Sequence, residues 1–203
     1  MMKTIFSSVL IASLCAAARA AVPAGFAPDL NRGEAGVLAF QARLAKAQDA
    51  ALPQDISAAD QNVGILVQQA AQLRQDLAQI KSQLVGAPPV PNASIRAELD
   101  QTASNLNIFV GNIQYVESQV QTLNSRAKAQ PDAVAPAQNL QSDALTFSSY
   151  AQWLYNEALM DAPSFDGAGY ALEGQQIQFY AQQTPSRAQE LQELCAQLLN
   201  IVR

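Results

Sequence analysis

Apolar and small residues fall at Ile56, Ala59, Val63, Leu66, Ala70, Leu73, Leu77, Ile80 and Leu84, in alternating steps of three and four without a slip. Such a period keeps one narrow stripe on one side of a helix, and it predicts a rod over Ile56–Val85. A second run, Ile95, Leu99, Thr102, Leu106, Phe109, Ile113, Val116, Val120, Leu123 and Ala127, predicts another rod over Ile95–Ala129. Val110 beside Phe109 widens its buried stripe, which calls for more than two packed helices. Gly86, Pro88, Pro89 and Pro91 stop the first rod, and Asn92 or Ser94 can cap the second. The connection is short, so the two rods are expected to lie side by side in opposite directions.

Shorter helices are expected around them. Glu34–Ala51 carries Val37, Phe40, Leu44, Ala47 and Ala51 on one side, and Pro53 separates it from the first rod. Pro136–Met160 carries Leu140, Ala144, Phe147, Ala151, Leu154 and Ala158. A weaker stretch runs from Tyr170 to Gln183, and the last helix opens at Thr184-Pro185 and carries Leu191, Leu194, Leu198 and Ile201, with Cys195 and Val202 beside them. No run alternates with the period of a strand. The fold class that follows is all-α: an antiparallel helical bundle of five or six helices with two long coiled-coil-like helices, a single domain over 34–203.

The first twenty residues read differently. Lys3 precedes an apolar stretch from Ile5 to Ala18, and Ala18-Arg19-Ala20 fits a small-x-small cleavage site. Residues 1–20 are thus expected to be a signal peptide and 21–33 an extended N-terminal segment. Leu14 before Cys15 argues against lipid attachment, which needs a small residue there. The expected location is secreted: extracellular, in a cell wall, or periplasmic in a bacterium. No later segment predicts a membrane span.

Charge and composition narrow the function. Charged residues make up 14% of the chain, while 38 Ala and 26 Gln account for about a third of it. Removal of residues 1–20 leaves ten cations against seventeen acids, and the cations are scattered. Phosphate binding draws on clustered Lys and Arg, so a nucleic-acid partner is not expected. Cys195 is the single cysteine after residue 20, so no intramolecular disulfide forms there. It is either a small buried hydrophobe or a link between two copies in self-association.

The chain has no histidine, which removes His-based triads and His metal sites. Glu157 and Asp161 share a helix face, and Asp166 follows in the Gly-containing segment Phe165–Gly169. Three carboxylates could gather a calcium ion or serve a carboxylate-dependent enzyme, but their spacing matches no calcium loop. No nucleophile elbow, phosphate loop or dinucleotide fingerprint occurs. No metal, cofactor or catalytic residue is expected. Asn92-Ala93-Ser94 is a glycosylation sequon, relevant in a eukaryotic host.

The remaining signals concern binding. Phe147, Tyr150, Trp153, Tyr155, Phe165, Tyr170, Phe179 and Tyr180 concentrate eight of the thirteen aromatic residues in one stretch. On a helix Tyr155 lies ~200° around from Trp153, so these rings cannot all face one core. They are the expected contact residues for an apolar ligand or partner, against the ordinary alternative of packing. The second rod also shows a neutral outward face: Gln101, Ser104, Asn105, Asn112, Gln114, Ser118, Gln119, Gln121 and Asn124. It suits other amide-rich helices or a neutral glycan.

An exported, Ala-rich helical chain without disulfides resembles the fungal hydrophobic-surface-binding proteins, though with Gln where those favour Ser, Thr and Asp. That resemblance implies adsorption to apolar surfaces or lipid holding. Gln68-Gln69-Ala70-Ala71-Gln72-Leu73-Arg74-Gln75-Asp76-Leu77 is similar in texture to the Gln-rich helices of minor pilus subunits of bacterial type IV secretion. The expected function is therefore an exported, non-catalytic binding or surface-interaction protein. The alternatives are a structural subunit that docks helix to helix, and a carboxylate enzyme.

Overall fold

A computed structural model describes residues 34–85 and 92–203. The expected signal peptide, the extended segment 21–33 and the proline-rich residues 86–91 lie outside the described residues. The described chain is all-helical, with no strand among the described residues. In order the helices are α1 (Glu34–Leu84), α2 (Ala93–Arg126), α3 (Pro131–Gly167), α4 (Ala171–Ala181) and α5 (Thr184–Val202). Among the described residues no helix is long and apolar enough to cross a membrane.

The chain divides into two compact units between Asp55 and Ile56. The described part of the first is the N-terminal stretch of α1, in which Leu44 is exposed and Ala47 and Ala51 are half-buried. The expected break at Pro53 is absent, because α1 runs helically through it. Proline removes one backbone donor, and a helix of 51 residues retains its other bonds on either side. Pro136 and Pro163 likewise lie inside α3, which starts five residues earlier than the sequence pattern predicts, with Pro131 in its first turn.

In the second unit the three-four stripes become the core. Ile56, Ala59, Val63, Leu66, Ala70, Leu73, Leu77 and Ile80 of α1 are buried, while Leu84 is half-exposed. Ile95, Leu99, Thr102, Leu106, Phe109, Ile113, Val116, Val120 and Leu123 of α2 are buried with Val110 beside them. α3 contributes Leu140, Ala144, Phe147, Ala151, Leu154 and Ala158. Of the residues expected on the inner side of α5, Leu191, Cys195, Leu198 and Val202 are buried together with Ala188 and Leu199, while Leu194 is half-exposed and Ile201 exposed. Phe109 of α2 meets Phe147 of α3 edge to face, with centroids 6.0 Å apart and planes at 76°. Such a pair adds about 0.5–1.5 kcal/mol beyond the area it buries.

Polar side chains fix how the helices are set against each other. Asn62 donates to Gln119 at 2.9 Å, Asn112 donates to Gln69 at 3.2 Å, and Gln83 donates to Glu98 at 3.0 Å. Each step forward along α1 matches an equal step backward along α2, so the two run in opposite directions. α5 follows α2 in the same direction: Arg187 meets Glu117, Asn124 donates to the Leu194 carbonyl, and the Gln130 N–H donates to the Val202 carbonyl. Three residues expected on an outward face, Asn112, Gln119 and Asn124, are thus half-buried ties to neighbouring helices. A side-chain amide has donors and an acceptor for such a role, and each bond contributes about 1 kcal/mol net.

The end of α3 is closed by backbone geometry. Gly169 has φ 87°, its N–H donates to the Asp166 carbonyl, and the Tyr170 N–H donates to the Phe165 carbonyl. This is a Schellman stop, with glycine in the position where other residues are strained. Phe165 and Tyr170, which flank the stop, are both buried. Gly174 then brings α4 onto α3, where a Cβ would sit 3.2 Å from Phe165 Cβ.

Candidate functional site

The eight aromatic residues expected at a contact face separate into two groups. Phe147 and Phe165 are fully buried and Tyr170 is 1% exposed, so these three are core and offer no surface to a ligand. The hydroxyl of Tyr170 accepts the Asn92 N–H at 2.6 Å. Packing explains the correction: each lies on the same face as the small residues Ala144, Ala151 and Ala158 or at the buried α3–α4 stop. Trp153 and Phe179 are exposed, and Tyr150, Tyr155 and Tyr180 are half-buried. Tyr150 stacks at a tilt on Trp153 with centroids 5.2 Å apart. Phe179 meets Tyr180 edge to face at 5.3 Å. Tyr155 lies away from Trp153 in a separate groove between α3 and α5.

Trp153 is one wall of a cleft of about 410 Å³ between α1 and α3. Arg74 and Lys81, seven residues apart on α1, form one side, and Trp153, Asn156, Glu157, Met160 and Asp161 of α3 form the other. Arg74 Nε donates to Glu157 Oε2 at 2.9 Å, and its guanidinium carbon lies 5.5 Å from the centre of the Trp153 ring. Lys81 Nζ donates to Asp161 Oδ1. That hydrogen bond, helped by the carboxylate charge, raises the Lys81 ammonium above its ordinary range. Asp161 is fully buried, and its Oδ2 has no hydrogen-bond partner among the described residues.

Glu157 and Asp161 do share a face, but each is matched to its own cation. Asp166 is exposed in the Schellman stop, where the chain geometry serves to end a helix. Among the described residues no three acidic or cysteine side chains come together as a metal site. Arg74 and Lys81 were not picked out from the sequence. The available signal was their place one residue beyond Leu73 and Ile80 of the stripe, where charges reach a neighbouring helix.

Two further candidates are placed by the fold. Asn92 is exposed and caps α2, its Oδ1 accepting the Ser94 N–H at 2.8 Å. Cys195 is a fully buried free thiol, which burial, with a smaller contribution from the Asp60 charge, pushes up to about 12. The expected option of linking two copies through Cys195 conflicts with that burial, since a thiol needs access and ionisation to form a disulfide.

A second polar feature joins α1 to α3. Asp60 is hydrogen-bonded to Asp143, and burial first, then the Asp143 charge, raises its carboxyl above the ordinary range. Across the bundle, burial also raises Glu117, against the pull of Arg187 at 3.1 Å. No family model matches this chain, and neither a curated protein nor a solved structure matches it significantly.

Proposed function

We propose that the protein is an exported, non-catalytic binding protein that meets apolar or cell-wall surfaces through the outer face of α3. It would do so from an antiparallel bundle whose two long, coiled-coil-like helices act as a stiff frame. The observation that carries this reading is a stripe of exposed apolar residues on one side of α3: Leu145, Trp153 and Met160, with Leu159 beside them. Ser149 and Asn156 lie between them at helical spacing. The apolar residues of the opposite stripe, Leu140, Ala144, Phe147, Ala151, Leu154 and Ala158, are all buried, so these exposed apolar residues belong to the outer face of α3. A large apolar surface in water favours contact with another apolar surface. Arg74 over the Trp153 ring and Tyr150 tilted against it hold the indole in place, which lowers the ordering cost of that contact.

The test is adsorption to octyl-coated beads and binding of a fluorescent fatty acid, comparing wild type with Trp153→Ala and Met160→Ser. Adsorption that falls several-fold in the variants supports the reading. Equal adsorption in all three proteins would overturn it.

The same spacing favours a second reading, a subunit that docks helix to helix within an assembly, as in a secretion apparatus. Leu172 and Phe179, also exposed and seven residues apart on α4, are a second apolar pair available for it. Light scattering over a wide concentration range distinguishes self-assembly from a strict monomer.

A further inference from the structure

A groove of about 590 Å³ runs between α3 and α5, separate from the Trp153 cleft. Its lining is mostly uncharged and hydrogen-bonding: Ser148, Gln152 and Tyr155 of α3, Gln182 at the α4–α5 turn, and Gln189 and Gln192 of α5. Its single charged wall residue, Glu193, already accepts a bond from Gln189 Nε2 at 3.1 Å. Gln152 uses one amide hydrogen on Asn156. The side chains of Ser148, Tyr155, Gln182 and Gln192 make no hydrogen bond to another described residue, so their donors and acceptors are open to a ligand.

We propose that this groove binds a neutral oligosaccharide. A sugar ring has hydroxyls along its edge, each both donor and acceptor, and a face of C–H groups. Side-chain amides match the edge because each offers two donors and an acceptor. The half-buried Tyr155 ring is an apolar plate for the face, with a hydroxyl at its rim. The volume lies in the range of small-ligand sites and accommodates a few sugar rings. An anionic ligand would find no cation on these walls, and the Glu193 carboxylate would repel it. A lining without ion pairs to a ligand also implies weak dependence on salt. Each hydrogen bond replaces one to water and contributes little net, so the affinity falls in the millimolar range.

The experiment is a titration of the isotope-labelled chain with chitotriose, cellotriose and maltotriose, followed by amide and side-chain NMR shifts. The expected result is saturable shifts for at least one of the three. They should be centred on Tyr155, Gln182, Gln189 and Gln192 and stay the same at low and high sodium chloride. Gln152→Ala combined with Gln189→Ala should weaken binding about tenfold with an unchanged circular dichroism spectrum. Tyr155→Phe should bind nearly as wild type and Tyr155→Ala should not. Absence of saturable shifts with all three sugars, shifts confined to another face, or equal affinity in Tyr155→Ala would overturn the proposal. Bead adsorption is read at Trp153, so the two surfaces succeed or fail separately.

Discussion

The hydroxyl of Tyr170, at the start of α4, accepts the backbone N–H of Asn92, the cap of α2, at 2.6 Å. One side chain thereby joins the entry of a long helix to the turn that ends α3. The ring is 1% exposed, so it also fills core volume beside Phe165.

Tyr170→Phe keeps the ring and removes the acceptor. The expected loss is about 1 kcal/mol, the usual net contribution of one such bond. Chemical denaturation should show it with an unchanged slope, together with faster hydrogen exchange at the Asn92 amide. Wild-type stability and exchange in the variant would mean that the bond carries no weight.

Glu117 and Arg187 form a pair with unequal burial, the carboxylate side chain 8% exposed and the guanidinium side chain 27%. Arg187→Leu leaves a desolvated carboxylate without its counter-charge, a loss of about 1–3 kcal/mol. Because burial raises Glu117, that variant should regain stability as the pH falls. Adding Glu117→Gln should recover most of the loss at neutral pH. A loss unrelieved by the second substitution would point to packing by the arginine stem instead.

Asp60 holds its proton more tightly in the folded state than the ordinary value near 3.8 allows. The group facing it from α3 is Asp143, and the charge of Asp60 itself also acts on Cys195 of α5. A raised folded value gives a stabilisation complete below the ordinary one, lost as the pH climbs through the folded one. This group should therefore lower the melting temperature as the pH rises above the ordinary carboxyl value near 3.8. Asp60→Asn should flatten that decline and raise the melting temperature at neutral pH. An identical pH profile in the variant would count against the carboxyl pair as its source.

Cys195, buried and raised to about 12, should be inert in the native protein. Reaction with a disulfide reagent should be at least a hundredfold slower than in denaturant, and oxidants should yield no linked dimer. Rapid native labelling would show that the α5 seam opens readily.

The periodicities of Ile56–Ile80 and Ile95–Leu123 determined that these stretches are helices and which side of each is buried. That much is legible because a stripe at three-four spacing has one way to leave water. The sequence also excluded histidine chemistry and placed Trp153 and Tyr155 on different sides of α3, since both follow from composition and helical angle alone. Tertiary structure decided the rest. It put Phe147, Phe165 and Tyr170 in the core, paired Arg74 with Glu157 and Lys81 with Asp161, and turned Asn112, Gln119 and Asn124 inward. It also carried the backbone through Pro53 and Pro136, where local preference alone predicts boundaries. The physical reason is that burial and charge pairing depend on which neighbour covers a residue, and that neighbour lies tens of residues away along the chain.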